Sequence, residues 1–279
     1  MHVDQIWLYP VKSMLGSRVE AAELADNGLV GDRMWALRDE ERGAIASGRK
    51  LIGVNRLAAA FDGGDGGVSI TLPDGSSVRD ADSDVDERLS KALDHRVSLW
   101  AKQPASNTDH YRRGRPDSDD IMAEMRSIFG RVDDEPLPDF SIFPPEMIEF
   151  EYPPGNYFDC FPLMIMTTTA LASIRKALPE SAVDERRFRP SIVIDTDDGA
   201  AGHPEFDWTG RRLLIRQSEI AIGDKCPRCA VVTREFADDL PADRRVLRHI
   251  VRDLDQNVGV YATVSTGGPI RVGDSVRLV

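Results

Sequence analysis

The residues most capable of chemistry are two cysteines and an arginine in the stretch DKCPRCAVVT, residues 224–233. Cys226 and Cys229 could be zinc ligands, a thiol–disulfide couple, two buried structural thiols, or one thiolate ligand beside a neighbour. A structural zinc needs four ligands, and the third cysteine, Cys160, is far away in sequence. The β-branched residues after Cys229 predict a strand, whereas a redox couple usually opens a helix.

The single-thiolate interpretation draws on the positive charges in this stretch. Arg228 directly precedes Cys229, and Lys225 lies close by. Neighbouring cations lower a thiol pKa and favour the thiolate. A thiolate suits a soft metal centre, and a guanidinium suits an anionic, phosphate-bearing organic ligand that carries the metal.

Other cationic and hydroxyl side chains stand where strands are expected to end or helices to begin, so they could bind such an anion. Taken one at a time, each has an ordinary explanation, because such cations are commonly solvated and such threonines are commonly helix caps. The candidates are Lys12, Ser13, Arg33, Thr167, Thr168, Arg187, Arg189 and Ser191.

The composition limits the function classes. The chain has 279 residues, 41% hydrophobic and 29% charged, which indicates one large globular domain or two smaller ones. A net charge of −12 argues against non-specific binding to nucleic acid or an anionic membrane. The chain starts without a signal-peptide pattern and has no 18-residue apolar run. Three cysteines, an odd number, favour a reducing cytoplasm over a disulfide framework.

The elements that would position these residues are mostly short strands. The first 105 residues predict strands, with a turn at 26–28 leading into a hairpin with RMWALRD, a helix near 81–95 and a strand at 96–102. The proline-rich stretch 106–157 predicts an irregular connector with one helix near 121–129. From 158 to 279, strands return, with a helix opened by threonine and a final hairpin through Gly273-Asp274. The expected fold is α+β, mainly β, a barrel or curled sheet.

Five motifs in a fixed order resemble one known family. They are YPVKS, GDRMW, FDCFPLMIMTTTAL, RRFRPSIVI and CPRC, followed by the ending IRVGDSVRLV. This series resembles the MOSC domain family with its N-terminal β-barrel domain, and within it the mitochondrial amidoxime reducing component and its bacterial relatives. The resemblance covers about 1–100 and 155–279. It implies a MOSC β-barrel of the pyruvate-kinase-like type at 158–279 and a smaller β-rich domain at 1–105.

The resemblance also implies roles for individual residues. Cys229 matches the thiolate ligand of molybdenum in the molybdenum cofactor, which makes it the metal-binding and catalytic residue. The residues that match the binding set for the pterin and its phosphate are Lys12, Ser13, Arg33, Thr167, Thr168, Arg189, Ser191 and Arg228. Ser191 replaces the asparagine of the mitochondrial type, and the residues after Thr233 depart from the family pattern. Asp159 is a candidate lining residue.

The activity implied is reduction of N-hydroxylated, or N-oxide and S-oxide, substrates by a molybdenum-cofactor oxidoreductase. A separate reductase, ferredoxin or haem protein would supply electrons, because a plant-type iron–sulfur cluster alone needs four cysteines. Two alternatives stay open: a sulfur carrier using a persulfide on Cys229, and a cofactor carrier without turnover. The chain has no room for the pyridoxal-phosphate domain of sulfurases that share the MOSC domain, so we expect no pyridoxal phosphate here.

Overall fold

The computed structural model describes residues 1–62, 66–196 and 199–279, and strands predominate in them. The strands are β1 (His2–Leu8), β2 (Ser17–Val19), β3 (Ala21–Ala25), β4 (Gly28–Leu29), β5 (Trp35–Asp39), β6 (Ala44–Ile45), β7 (Ala58–Phe61), β8 (Val68–Thr71), β9 (Ser77–Arg79), β10 (Val97–Ala101), β11 (Leu163–Thr167), β12 (Ile192–Asp195), β13 (Arg212–Ile215), β14 (Ser218–Pro227), β15 (Asn257–Thr266), β16 (Gly268–Arg271) and β17 (Val276–Leu278). The helices are α1 (Val85–Leu93), α2 (Thr108–Tyr111), α3 (Ile121–Phe129), α4 (Thr168–Ala177) and α5 (Arg244–Asp253). The mainly β, α+β class expected from the sequence is confirmed.

The largest sheet has eight strands in the order β17-β13-β14-β15-β11-β12-β1-β2. It joins both ends of the chain, since β1 pairs antiparallel with β12, which in turn pairs parallel with β11. Strands from the two predicted domains therefore lie in one sheet. The division at residues 105 and 158 stays a prediction.

Side-chain alternation along the central strands separates two cores on opposite faces of this sheet. Ile165 and Ile192 belong to the cluster on one face, whereas Met166 and Val193 belong to the cluster on the other. The second cluster includes the apolar stripes of α4 and α5. Because both faces are covered, β11 is buried at all five positions.

The N-terminal half adds small sheets with a core of their own. Strands β10-β5-β6 and β7-β8-β9 form these two three-stranded sheets, whereas β16-β3-β4 includes a C-terminal strand and packs into the core of the large sheet, not into this one. Leu89 of α1 is fully buried in this core, with Val85 and Leu93 packed against it. The helix predicted near 81–95 is present as α1, and the predicted helix at 121–129 is likewise present as α3.

Three expectations differ from the structure. The large sheet is not a closed barrel among the described residues: β2 and β17 are its edges, and one isolated bridge, His2 to Ser275, links β1 to the approach to β17. The turn at 26–28 pairs β3 with β4, not with RMWALRD. The last turn forms no hairpin, because β16 pairs with β3 while β17 pairs with β13. At the first turn β3 takes the short strand β4 next to it, and β5 pairs with β10 and β6 instead. At the last turn both flanking strands pair with distant strands.

Candidate functional site

Hydrogen bonds join the end of β1 to the loop before β5, and they bring Lys12 and Arg33, two of the candidate anion-binding residues, close together. The Tyr9 amide donates to Asp32 Oδ1 at 2.8 Å, and the Arg33 amide donates to the Tyr9 carbonyl at 2.8 Å. Further along, the Lys12 amide donates to the Trp35 carbonyl at 2.8 Å. Lys12 and Arg33 therefore leave neighbouring backbone segments at one end of the large sheet.

Three of the predicted residues hold left-handed backbone conformations. The φ angles are 67° at Ser13, 49° at Arg33 and 56° at Arg189. A side chain other than glycine costs roughly 1–3 kcal/mol in this region, and such residues concentrate at ligand-binding sites. Three of the seven described non-glycine residues with a positive φ are therefore residues of the motifs.

Lys12 is almost completely buried. Its Nζ donates to the Tyr157 carbonyl and to Asp159 Oδ1, each at 2.7 Å, and lies 3.7 Å from the centre of the Tyr152 ring. The side chain is only 4% exposed. Burial lowers the pKa of Lys12 to about 8, although Asp159 opposes the shift. The pocket thus holds a positive charge with little water to solvate it.

Arg49, which the sequence analysis did not single out, completes this ion-pair group. Its Nη2 donates to Asp159 Oδ1 at 2.9 Å, so Asp159 bridges Lys12 and Arg49. Burial would raise the pKa of Asp159, but Lys12 and then Arg49 hold it well below its usual range. The Asp159 side chain is 54% exposed, so solvent partly screens these attractions.

Arg33 and Arg189 both lie against the ring of Tyr9. Their guanidinium carbons are 5.4 Å and 4.2 Å from the ring centre. Arg33 pairs with Asp32, whereas Arg189 donates to the Met14 carbonyl and pairs with no carboxylate in the described part of the chain. Burial, and then the like charge of Arg33, lower the pKa of Arg189 to about 10.

Positive charge is therefore in excess at this end of the sheet. Four cationic side chains face two bonded carboxylates, which leaves two positive charges uncompensated. Buried charges without partners are costly, so such a site favours an anionic ligand. The cations are Lys12, Arg33, Arg49 and Arg189, and the carboxylates are Asp32 and Asp159.

The two cysteines of the CPRC motif have different surroundings. Cys226 is buried, and Arg228 donates to its sulfur at 2.9 Å and to the Phe188 carbonyl at 2.6 Å. Burial raises the pKa of Cys226, with Arg228 opposing. The hydrogen bond of Arg228 thus goes to the sulfur of Cys226, the other cysteine of the motif. The predicted strand after Cys229 is also wrong, because Ala230–Thr233 is a 3-10 helix.

Cys229 is half-buried at the start of this 3-10 helix and lies close to the cation group. Burial lowers the pKa of Arg49, but Asp159, Tyr152 and Cys229 together raise it well above its usual value. Arg234, at the far end of the 3-10 helix, donates to the Arg49 carbonyl at 3.2 Å. The loop that carries the thiol therefore adjoins the loop that carries Arg49.

Ser191 and Arg187 have backbone partners. The Ser191 hydroxyl accepts the Met164 amide at 3.3 Å, and the Ser191 amide donates to the Met164 carbonyl at 2.8 Å. Arg187 is fully buried and donates to four carbonyls. Those carbonyls belong to Ala182, Val232, Arg234 and Pro241. Arg187 therefore holds the end of the 3-10 helix through its hydrogen bonds. Ser191 links the start of β12 to β11.

Thr167 and Thr168 lie together at the end of β11, whereas Ser191 lies at the other end of the β11–β12 pair. Ser191 sits beside Met164 near the start of β11, whereas Thr167 ends β11 three residues later and pairs with Ile194. The Thr167 hydroxyl donates to Glu205 at 2.8 Å and caps α4 by accepting the Ala170 amide. The Thr168 hydroxyl donates to Asp195 at 2.5 Å. The structure does not bring the two threonines together with the cations.

Within the described ranges, no group of three or more histidine, cysteine or acidic side chains could hold a metal ion. All three cysteines are free, and burial raises the pKa of Cys160 to about 12. The described helices are all too short or too polar to cross a membrane. A metal bound through Cys229 would therefore lack a full set of such ligands among the described residues.

Comparison with known proteins covers most of the chain. The model of the MOSC domain matches residues 153–277, and that of the MOSC N-terminal beta barrel domain matches residues 1–111. The chain is similar to mitochondrial amidoxime reducing component 2 of Bos taurus, at 28% identity over 98% of this chain and 82% of the relative. For mitochondrial amidoxime-reducing component 1 of Homo sapiens, identity is 26% over 99% and 82%.

Two solved structures are also similar. The YUAD protein of Bacillus subtilis aligns over 99% of this chain and 94% of its own, with a TM-score of 0.44 and 8% identity. YiiM of Geobacillus stearothermophilus aligns over 43% and 54%, with a TM-score of 0.32 and 12% identity.

Proposed function

The chain belongs to the family of MOSC domain proteins that also carry the MOSC N-terminal beta barrel domain, and from this premise we propose that it binds the molybdenum cofactor and reduces N-hydroxylated substrates. The observation that carries the proposal is the excess of two positive charges beside Cys229. A dithiolene-bearing pterin phosphate is an anion with sulfur ligands of its own. It would supply both the missing negative charge and the missing metal ligands.

The residues present fit this group. Arg33 and Arg189 offer guanidinium donors that suit a phosphate, and the left-handed backbone of both aims them from fixed positions. Lys12 adds a point charge, and Ser13 its hydroxyl, which accepts the Gly48 amide at 3.0 Å in this structure. Cys229 is the proposed thiolate ligand. We leave Thr167 and Thr168 out of the proposed set because their hydroxyls face Glu205 and Asp195.

When bound, the molybdenum cofactor would supply the two-electron chemistry that cleaves an N–O bond. The chain's own residues hold and orient it. Arg228, with its guanidinium fixed between Cys226 and the Phe188 carbonyl, stiffens the turn that presents Cys229. Asp159 neutralises part of the charge of Lys12 and Arg49 and, being half exposed, borders the solvent side of the group.

The partner and the compartment follow from the same proposal. Three cysteines in all are too few for a plant-type iron–sulfur cluster, so electrons are proposed to come from a separate donor protein. Free thiols suit a reducing compartment, and we propose the cytoplasm. The named relatives are mitochondrial proteins, so this assignment is specific to the present chain.

Molybdenum and pterin analysis of protein from a cofactor-competent host tests the proposal. We expect one molybdenum per chain, the fluorescence of oxidised pterin, and reduction of benzamidoxime with an artificial electron donor. Arg189→Met should lose most of the molybdenum, whereas Arg186→Met should keep it. Arg186 is a matched control because it is close in sequence but pairs with Asp184 and Asp239.

Three other results would contradict the proposal in different ways. Absence of molybdenum from the wild-type protein would refute cofactor binding. Molybdenum and pterin without benzamidoxime reduction would indicate a carrier. A persulfide on Cys229, found by mass spectrometry in metal-free protein, would indicate the sulfur-carrier function.

A further inference from the structure

The connector between the two predicted domains reaches the turn that carries Cys229. Helix α3 ends at Gly130, which has a left-handed φ of 63°. A Cβ atom at Gly130 would lie 3.2 Å from both the Cα and the Cβ of Ala230, the residue after Cys229. The close approach and the left-handed backbone both require glycine here. The end of α3 is therefore packed directly against the cysteine turn.

The next residue, Arg131, is buried and donates into that turn. Its Nη2 donates to the Arg228 carbonyl and to Gln256 Oε1, each at 3.0 Å. Its Nε also donates to Gln256 Oε1, at 3.2 Å. The side chain is 6% exposed, so water competes little for these hydrogen bonds.

Gln256 bonds the other backbone polar group of Arg228. Its carbonyl accepts the Arg228 amide at 2.8 Å, and its own φ is 71°. The Arg228 amide is thus bonded to Gln256, and the Arg228 carbonyl is bonded to Arg131, which Gln256 orients. Both polar groups of the residue before Cys229 are fixed by this pair.

From these contacts we infer that Arg131 is a positioning residue for Cys229, through which the connector becomes part of the proposed cofactor site. The inference deepens the proposed function and rests on the role proposed there for Cys229. Its electrostatics agree with it. Burial lowers the pKa of Arg131 to about 10, and the charge of Cys229 is the strongest influence opposing that shift.

Hydrogen exchange of the peptide covering residues 226–233 tests the inference without a bound metal. Arg131→Met removes the donors but keeps the apolar stem, and we expect at least tenfold faster exchange in this peptide, with β11 and β12 unchanged. Arg126→Met is the matched control. Arg126 lies on α3, five residues before Arg131, and donates to two connector carbonyls, those of Val132 and Glu135.

Two further variants keep the test decisive if Arg131→Met does not fold. Gln256→Asn tolerates the left-handed backbone but cannot reach Arg131, so it should speed exchange in the same peptide. Arg131→Lys keeps the charge and one hydrogen bond and should give an intermediate rate. In cofactor-loaded protein, molybdenum content should fall at least fivefold in Arg131→Met and less in Arg131→Lys.

The outcomes separate this inference from the proposed function. Unchanged exchange at 226–233 in Arg131→Met and in Gln256→Asn would overturn the positioning role, whatever the metal content. Equal acceleration throughout the protein would also overturn it, because that is a general loss of stability. Wild-type protein without molybdenum would refute the proposed function, while the exchange result would still decide the role of Arg131.

Discussion

The two cysteines of the CPRC motif can be told apart by their contacts. Cys229 is the proposed metal ligand, and Cys226 is packed in a hydrophobic cluster and accepts a hydrogen bond from Arg228. We expect Cys229→Ala to abolish molybdenum retention with little change in the free energy of unfolding. Metal analysis and chemical denaturation measure the two effects.

The companion variant should behave in the reverse way. Cys226→Ala leaves a small cavity and an unpaired guanidinium nitrogen, which should cost about 1–3 kcal/mol of stability. It should retain molybdenum. Loss of metal in Cys226→Ala, with retention in Cys229→Ala, would mean that the ligand has been assigned to the wrong cysteine.

Lys12 gives the cofactor-free protein a distinctive pH dependence. The pKa of Lys12 is lowered from 10.5 to about 8 by burial. Between these pH values the unfolded chain binds more protons than the folded one, so the stability contribution of Lys12 increases as pH rises through this window. Over the whole window the gain is at most about 3 kcal/mol.

Denaturant unfolding of the cofactor-free protein from pH 7 to pH 10.5 measures this gain. The difference in stability between wild type and Lys12→Met should rise with pH, whereas Lys91→Met, at an exposed lysine of α1, should leave the profile unchanged. A bound anion should flatten the wild-type profile, because it restores the charged form of Lys12. A difference that stays constant with pH would contradict the burial argument.

At the scale of elements, the start of α4 has a structural role. Thr167 caps α4 and donates to Glu205, which is fully buried. Thr167→Val keeps the shape but removes the hydroxyl. We therefore expect a loss of about 1–3 kcal/mol in the free energy of unfolding and unchanged molybdenum content. Metal loss at unchanged stability would place Thr167 back among the cofactor ligands.

Local patterns predicted elements better than they predicted partners. The helix α1, the bounds of α3 and the threonine cap of α4 depend on nearby residues, and the structure has them. The predicted hairpins are wrong because RMWALRD and β17 take partners that are distant in sequence: β5 pairs with β10, and β17 pairs with β13. The strand predicted after Cys229 is wrong because Arg187 and the cysteine turn hold Ala230–Thr233 in a 3-10 helix despite its β-branched residues.

For the site too, the sequence predicted residues in local motifs but not their distant partners. Lys12, Arg33 and Arg189 could be found because they lie in recognisable motifs, and the structure gathers them. Arg49 could not, because a loop arginine has no signal of its own until its partner Asp159, which is 110 residues away, is known. The sequence around Thr167 and Thr168 correctly predicts the start of a helix. It does not show that this helix starts at the end of the sheet away from the cations.

For the whole molecule, the single sheet shared by both ends of the chain argues against an independent C-terminal domain. Val3, Ile6 and Leu8 of β1 belong to the same core cluster as Ile165 and Ile192. A fragment of residues 158–279 would expose that cluster and leave the β12 edge without β1. We expect the fragment to aggregate or to lack fixed tertiary structure.

Size-exclusion chromatography and near-ultraviolet circular dichroism would test this. Co-expression with residues 1–157 is the control and should restore a folded complex, since the missing strands are then supplied in trans. A folded monomer from the fragment alone would show that the division predicted at residue 158 is a true domain boundary.

The sheet order also has a consequence for protein synthesis in the cell. The first strand and the last one both belong to the same sheet, and the amide of Val276 donates to the Met1 carbonyl. The amino end leaves the ribosome long before the carboxyl end, so the edge of β1 that pairs with β12 stays unpaired until residues 192–195 have been translated. Cys229 and Lys12 can therefore meet only near the end of translation. Loading of a cofactor would then be an event that follows release of the chain.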